Sequence, residues 1–211
     1  MSGFVLSRSL FLALSSLLAA VGFTSCGTTP TSYGSDPHNK MIVSVRDQKM
    51  LLVRDGTPIK TYKISTSKFG VGDSPGSNCT PLGRLQVAKK IGDNAPLGSV
   101  FKARRRTGEV IAPNSPGRDP VVTRIMWLTG TEARNQNTFR RTIYIHGTPE
   151  ESRLGSPASY GCIRMGSSDV ADLYRRVGTG ADVFVIRGSI QSRSTSAITA
   201  STGKTGFRSR G

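Results

Sequence analysis

Seven short apolar runs rich in β-branched residues, each cut off by turn residues after eight or fewer positions, restrict this chain to a mainly β fold. Met41–Arg46 (MIVSVR) and Lys49–Arg54 (KMLLVR) flank Asp47-Gln48, and Asp55-Gly56 leads into Ile59–Ser65 (IKTYKIS). Tight turns between runs of that length predict three antiparallel strands. Leu82–Ala88, Val121–Leu128, Thr142–His146 and Ala181–Ile186 add four more. A single stretch carries helix signals: Ser168 stands where a cap is wanted, Asp169 and Asp172 follow, Val170, Leu173 and Val177 share a face, and Gly178 comes after Arg175 and Arg176. With 211 residues, 24 of them glycine and 11 proline, one catalytic-size domain with tails is expected, without internal repeats.

The two ends differ from the middle. Residues 1–25 contain one basic residue, Arg8, no acidic residue, and an apolar run of 14 residues, Leu10–Phe23. That run is shorter than the roughly 18 needed to span a bilayer, so it has the character of a cleaved signal peptide. Phe23-Thr24-Ser25-Cys26 resembles the lipobox of bacterial lipoproteins, which implies acylation of Cys26 and a protein exported and anchored at the membrane, facing the periplasm or cell wall. Plain secretion is the alternative. The rest of 26–39 is small, polar and proline-containing, as a flexible tether would be, and 188–211 carries Arg193, Lys204, Arg208 and Arg210 with no acidic residue. The domain is therefore expected over 40–187, with a disordered basic tail after it.

A formal charge of +16 draws a protein toward polyanions. For an exported chain an anionic envelope surface, met through the tail, is the expected partner; nucleic acid is not, and the run Arg104-Arg105-Arg106 is expected to be a solvated face.

The chemistry-bearing residues are few. The chain has two histidines, His38 in the presumed tether and His146 at the end of an apolar run, followed by glycine. Of three cysteines, Cys26 is taken by the export reading, which leaves Cys79 in a Gly/Ser/Asn/Pro loop and Cys162 in SYGCIRM, just ahead of the helical stretch. A thiolate forms near neutral pH when an imidazole, a helix N-terminus or cationic neighbours stabilise it, and Cys162 has all three within prospect. Gly161 lets the backbone approach a carbonyl, and amides around the cysteine suit a developing oxyanion. Against this stand a cysteine that merely packs, a core histidine, and a Cys79–Cys162 disulfide. Two cysteines and one usable histidine lack the close pairing of a zinc site, so no metal is expected.

The block Ile143–Met165, IYIHGTPEESRLGSPASYGCIRM, resembles the active-site signature of the L,D-transpeptidase (YkuD-like) family: His-Gly, a spacer, then Ser-His-Gly-Cys, an apolar residue and Arg or Asn. The hairpin around Asp47-Gln48, Ser65-Thr66-Ser67-Lys68 and Thr80-Pro81-Leu82-Gly83 are similar to earlier landmarks of the family, so the likeness runs from about Lys40 to Arg187. It implies a β-sandwich-like catalytic domain with short helices, one of them after the cysteine. It also implies that Cys162 is the nucleophile and His146 the base, attacking the carbonyl of a diamino acid at position three of a peptidoglycan tetrapeptide stem and releasing terminal D-alanine. An amine then resolves the acyl-enzyme, as a 3-3 cross-link or attachment of a protein, and no cofactor is needed. By the same resemblance Gly161 and the Cys162 amide lie near the oxyanion, Gly147 and Ser159 shape the pocket, and Arg164 braces the loop or holds a carboxylate. Tyr160 stands where the family usually has a second histidine, which puts substrate choice or rate in question; Cys79 has no role to carry over. Water in place of the amine would make the chain a carboxypeptidase or hydrolase. Loss of chemistry would leave a wall-binding lipoprotein.

Overall fold

The computed structural model describes residues 36–190. Its strands are β1 (Asn39–Ser44), β2 (Lys49–Arg54), β3 (Thr57–Ser65), β4 (Gly83–Ile91), β5 (Ser99–Lys102), β6 (Arg105–Val110), β7 (Val121–Gly130), β8 (Tyr144–Gly147), β9 (Ile163–Met165) and β10 (Asp182–Ile186), and its one α-helix among these residues is α1 (Ser167–Arg176). Cys26, the signal segment and 191–211 lie outside the described residues.

The first three strands pair antiparallel in the expected order, turning at Asp47-Gln48 and Asp55-Gly56. The full order is β4-β10-β1-β2-β3-β9-β8-β7-β5-β6, and β7 also pairs with β4. Strand β7 manages this by dividing one edge: Val121 and Val122 pair with β5, Ile125–Gly130 with β4, while the other edge takes β8. Eight strands thereby close into a barrel-like sandwich, and β5 and β6 project from it as a hairpin.

Three strands were not expected from sequence. Strand β6 (RRTGEV) is exposed at every position, so it has no apolar alternation to read, and β9 is only three residues long. Strand β5 is four residues and buries Ser99 beside Val100 and Phe101.

The helix forms where expected, with Val170, Leu173 and Val177 in the core. Burying side chains of this size contributes about 1.5–3 kcal/mol each. Its start differs. Gly166 is the cap residue and makes no side-chain cap, Ser168 lies inside the first turn, and the carboxylate of Glu151 accepts the Ser167 N–H at 2.7 Å. The cap therefore comes from a distant segment, because β9 delivers the chain to the helix in extended form. At the other end Lys90 Nζ donates to the Tyr174 and Val177 carbonyls, both at 2.8 Å, placing a cation at the negative pole.

Alternation along β7, β8 and β9 separates two faces. Met126, Leu128, Ile145, Ile163 and Met165 join the main core with α1, whereas Ile125, Trp127, Tyr144 and Cys162 pack on the opposite side with Phe101 and Ala95. The tether read over 26–39 ends in ordered structure, since Asp36 accepts the Gly178 and Asn39 N–H groups. Likewise Ser189 and Ile190, at the start of the stretch read as tail, both donate to Asp47.

Candidate active site

Strands β8 and β9 run parallel, with Ile145 opposite Ile163 and His146 opposite Arg164. One step back, Cys162 falls beside Tyr144, whose N–H donates to Cys162 Sγ at 3.4 Å. Side chains alternate along each strand, so His146, Tyr144, Cys162 and Arg164 share one face. A strand spacing of about 4.8 Å and a two-residue rise of about 6.6 Å put the Cα atoms of His146 and Cys162 roughly 8 Å apart. The fold thus brings the two candidate catalytic residues together. Among the described residues no hydrogen bond joins them: the thiol donates to Thr142 O at 3.6 Å instead.

His146 is buried and its Nδ1 lies 2.8 Å from Gly147 O. A carbonyl only accepts, so Nδ1 carries the proton and Nε2 presents a lone pair. Burial lowers the proton affinity of the ring; the Gly147 carbonyl and Asp119 pull it up, and Arg164 pushes it down. Burial pushes the Cys162 thiol up to about 11, against the Tyr144 N–H and the charges of Arg141 and Arg164, which favour the thiolate. At neutral pH both groups are neutral. The helix N-terminus is not available to this thiol, because β9 intervenes and Glu151 occupies the end of α1.

The turn before Cys162 is tightly made. Ser159 Oγ donates to Cys162 O at 2.6 Å and accepts from Gly161 N at 3.2 Å. Gly161 has φ +120°, and a Cβ there would sit 3.1 Å from Ile143 Cδ1 and 3.2 Å from Cys79 O. Glycine is needed for both reasons. Gly147 is forced by proximity, since a Cβ would lie 2.7 Å from Val122 O. Opposite it Thr123, fully buried, holds φ 69° at the β7 irregularity, and Thr142, whose carbonyl meets the thiol, holds φ 56°. Two β-branched residues in the left-handed region mark a backbone held in place by its surroundings.

Arg164 is buried, with Nη1 bound to Asp119 and, at 3.0 Å, to Glu150. That is the arrangement of a brace between the β8–β9 pair and the loops carrying Asp119 and Glu150. Tyr160 turns outward, 64% exposed, with Lys68 Nζ 2.9 Å from its hydroxyl. Cys79 and Cys162 are both free thiols, and Cys79 Sγ donates to Phe69 O at 3.1 Å. Groups able to hold a metal ion are absent among the described residues.

Sequence reasoning missed Arg141. It is buried against Asp73 at 3.0 Å and donates to Cys79 O at 2.7 Å, so it ties the Cys79 loop to the segment entering β8. In sequence it is one of two adjacent arginines, and nothing local tells the buried one from the exposed one. Asp119, Glu150 and Glu151 were missed for the same reason.

Comparison with known proteins finds relatives over most of the described residues. The L,D-transpeptidase catalytic domain model, YkuD, matches residues 38–186. The Bacillus subtilis (strain 168) protein "Putative L,D-transpeptidase YqjB" is 27% identical over 150 residues, covering 71% of each chain. Among solved structures, an L,D-transpeptidase from Mycobacterium smegmatis has a TM-score of 0.46 at 15% identity, over 71% of this chain and 58% of that one. One from Xylanimonas cellulosilytica DSM 15894 has a TM-score of 0.46 at 18% identity, over 75% and 63%. The chain thus spans less than two thirds of those solved chains.

Proposed function

This chain belongs to the YkuD family of L,D-transpeptidase catalytic domains, and from that premise we propose that it forms an acyl-enzyme on Cys162, with His146 as the base, using peptidoglycan stem peptides as donors. The observation that carries this reading is the register of β8 on β9, which sets His146 and Cys162 on one face with Nε2 of the imidazole unprotonated.

In the proposed reaction the thiol and the imidazole are both neutral before substrate arrives. As Sγ bonds to the carbonyl carbon of the third stem residue, its proton passes to Nε2. The carbonyl oxygen becomes an oxyanion near the Cys162 amide and Gly161, whose N–H exchanges its long 3.2 Å bond to Ser159 for the stronger charged acceptor. Collapse breaks the amide bond, His146 returns the proton to the leaving nitrogen of D-alanine, and a thioester remains. An acceptor amine attacks the thioester and gives its proton to His146, forming the new amide and regenerating the thiol. Arg141 and Arg164 favour the transient thiolate by their charge. Arg164 acts as a brace for the β8–β9 pair, and Ser159 and Gly147 shape the turn and its floor.

The test is incubation with tetrapeptide-bearing muropeptides. Cross-linked dimers lost on Cys162→Ala support transpeptidation; tripeptides alone reassign the chain as a carboxypeptidase, and neither product from the folded wild type removes the enzymatic reading.

The apolar leader and Cys26 support export and lipid anchoring. Mass spectrometry of the mature protein from an expressing cell checks this. An N-terminal diacylglyceryl-cysteine at position 26 is expected, and an unmodified Cys26 overturns it. The basic character of 188–211 supports weak contact with an anionic envelope surface, which added salt should weaken.

A further inference from the structure

Three cationic side chains lie around the thiol and its turn, and two of them have carboxylate partners. Arg141 is paired with Asp73, and Arg164 with Asp119 and Glu150. Lys68 is different. Among the described residues its ammonium meets no carboxylate; it rests 2.9 Å from the Tyr160 hydroxyl, 4.3 Å above the Tyr160 ring and 5.3 Å from the Phe69 ring. Both rings are large and exposed, at 64% and 49%, and they lean on one another with centroids 5.4 Å apart.

The segments that carry this group are bonded to one another. Lys68 N–H donates to Ser159 O at 3.1 Å, Ser67 bridges Ser159 in parallel fashion, and Thr80 Oγ1 donates to Gly161 O at 3.0 Å. Ser67 Oγ in turn accepts from Phe69 N and donates to Asn78 O. The backbone beneath the cation and its two rings is therefore tied to the turn that carries Cys162. Two residues of chain span at most about 7 Å, so the Tyr160 Cα lies within that distance of the Cys162 Cα.

The geometry points to a carboxylate-binding platform, formed by Lys68 with Phe69 and Tyr160, that receives the C-terminal carboxylate of the donor stem's leaving D-alanine. This inference rests on the function proposed above. In a tetrapeptide that carboxylate carbon lies three bonds beyond the carbonyl carbon that Sγ attacks, hence within about 4 Å of it. Its negative charge travels with the scissile bond and needs a cation not neutralised elsewhere. Lys68 supplies that charge and, with the Tyr160 hydroxyl, two donors, while the rings exclude water from one side and strengthen the pairing. Tyr160, where the family pattern has histidine, acts here by holding the ammonium, and the site selects stems that end in a free carboxylate one residue past the acyl position.

The test compares a tetrapeptide stem bearing a free C-terminus with the same stem as its C-terminal amide, on wild type, Lys68→Met and Tyr160→Phe. Release of D-alanine or D-alaninamide gives kcat/KM, and melting curves establish that each variant is folded. The wild type is expected to prefer the acid by about tenfold, which corresponds to about 1.4 kcal/mol. Lys68→Met should lower kcat/KM for the acid about tenfold and leave the amide unchanged, and Tyr160→Phe should fall between. A wild-type preference near one, or an equal loss on both substrates in Lys68→Met, overturns the platform and leaves the acyl-enzyme reading intact. Failure of the folded wild type to release either product overturns that reading, and the platform with it.

Discussion

His146 and Arg164 are register partners across β8 and β9, so a buried guanidinium stands next to a buried imidazole. The charge of Arg164 and the burial both favour the neutral ring, while Asp119, which holds Arg164, offsets part of that effect. A base that is unprotonated and short of water is ready to receive a proton from its neighbour.

The first prediction concerns the thiol. With its pKa pushed up to about 11, the thiolate fraction of Cys162 rises about tenfold per pH unit across neutral and mildly alkaline pH. In a Cys79→Ser background, iodoacetamide alkylation of Cys162, read by peptide mass spectrometry, should climb through pH 7 to 10 without a plateau near the pH expected for a free cysteine. A plateau below pH 8 would show a standing thiolate. The linkage to stability has a definite sign: a raised thiol pKa favours the folded state below the unfolded value and loses that contribution as pH rises through about 11.

For His146 the sign is opposite. Its proton affinity is lowered by folding, so its contribution is complete above the ordinary histidine pKa of about 6.5 and is lost as pH falls below it. Thermal melts of the wild type should decline from pH 6.5 to 5, and His146→Gln should flatten the slope over that window. An unchanged slope in the variant would place the acid sensitivity elsewhere.

Arg141 is expected to be a stability residue as much as a site residue. Its ion pair with Asp73 is buried on both sides, at 7% and 5% side-chain exposure. Arg141→Met leaves Asp73 with a buried charge and should cost about 3–5 kcal/mol in urea unfolding. Asp73 also accepts from Asn137 N at 2.6 Å, so Asp73→Asn should cost less than the arginine change. The reverse order would contradict the structure.

Gly161→Ala introduces a side chain at φ +120° with neighbours at 3.1 and 3.2 Å. A loss of more than about 1 kcal/mol is expected from the backbone alone. Since the turn also positions Cys162, covalent uptake of an acylating β-lactam should slow as well. Unaltered melting and uptake would show that the turn tolerates the methyl.

Much of the barrel was legible because its strands alternate apolar and polar residues between Asp-Gly-type turns; β1 to β3 and the burial of Val170 and Leu173 are the clearest instances. Strand β6 was not, since every position of it is exposed and nothing selects a period. The helix cap was misplaced because its carboxylate comes from Glu151, sixteen positions before Ser167, and local reading favoured Ser168. In the candidate site, His146 and Cys162 were legible from type and scarcity. Asp119, Glu150 and Arg141 were not, because pairing among charged residues far apart in sequence is decided only when the strands find their register.

The closed ring also governs how the molecule meets its own copies. Strand β3 is unpaired on its outer side over Thr57–Lys63, because β9 reaches only Ile64 and Ser65, and the outer edge of β6 is also open to strand addition among the described residues. There the chain sets Arg105 and Arg106 side by side, both exposed, so two such edges brought together would repel. An edge that would otherwise recruit further strands into an aggregate is guarded there by charge.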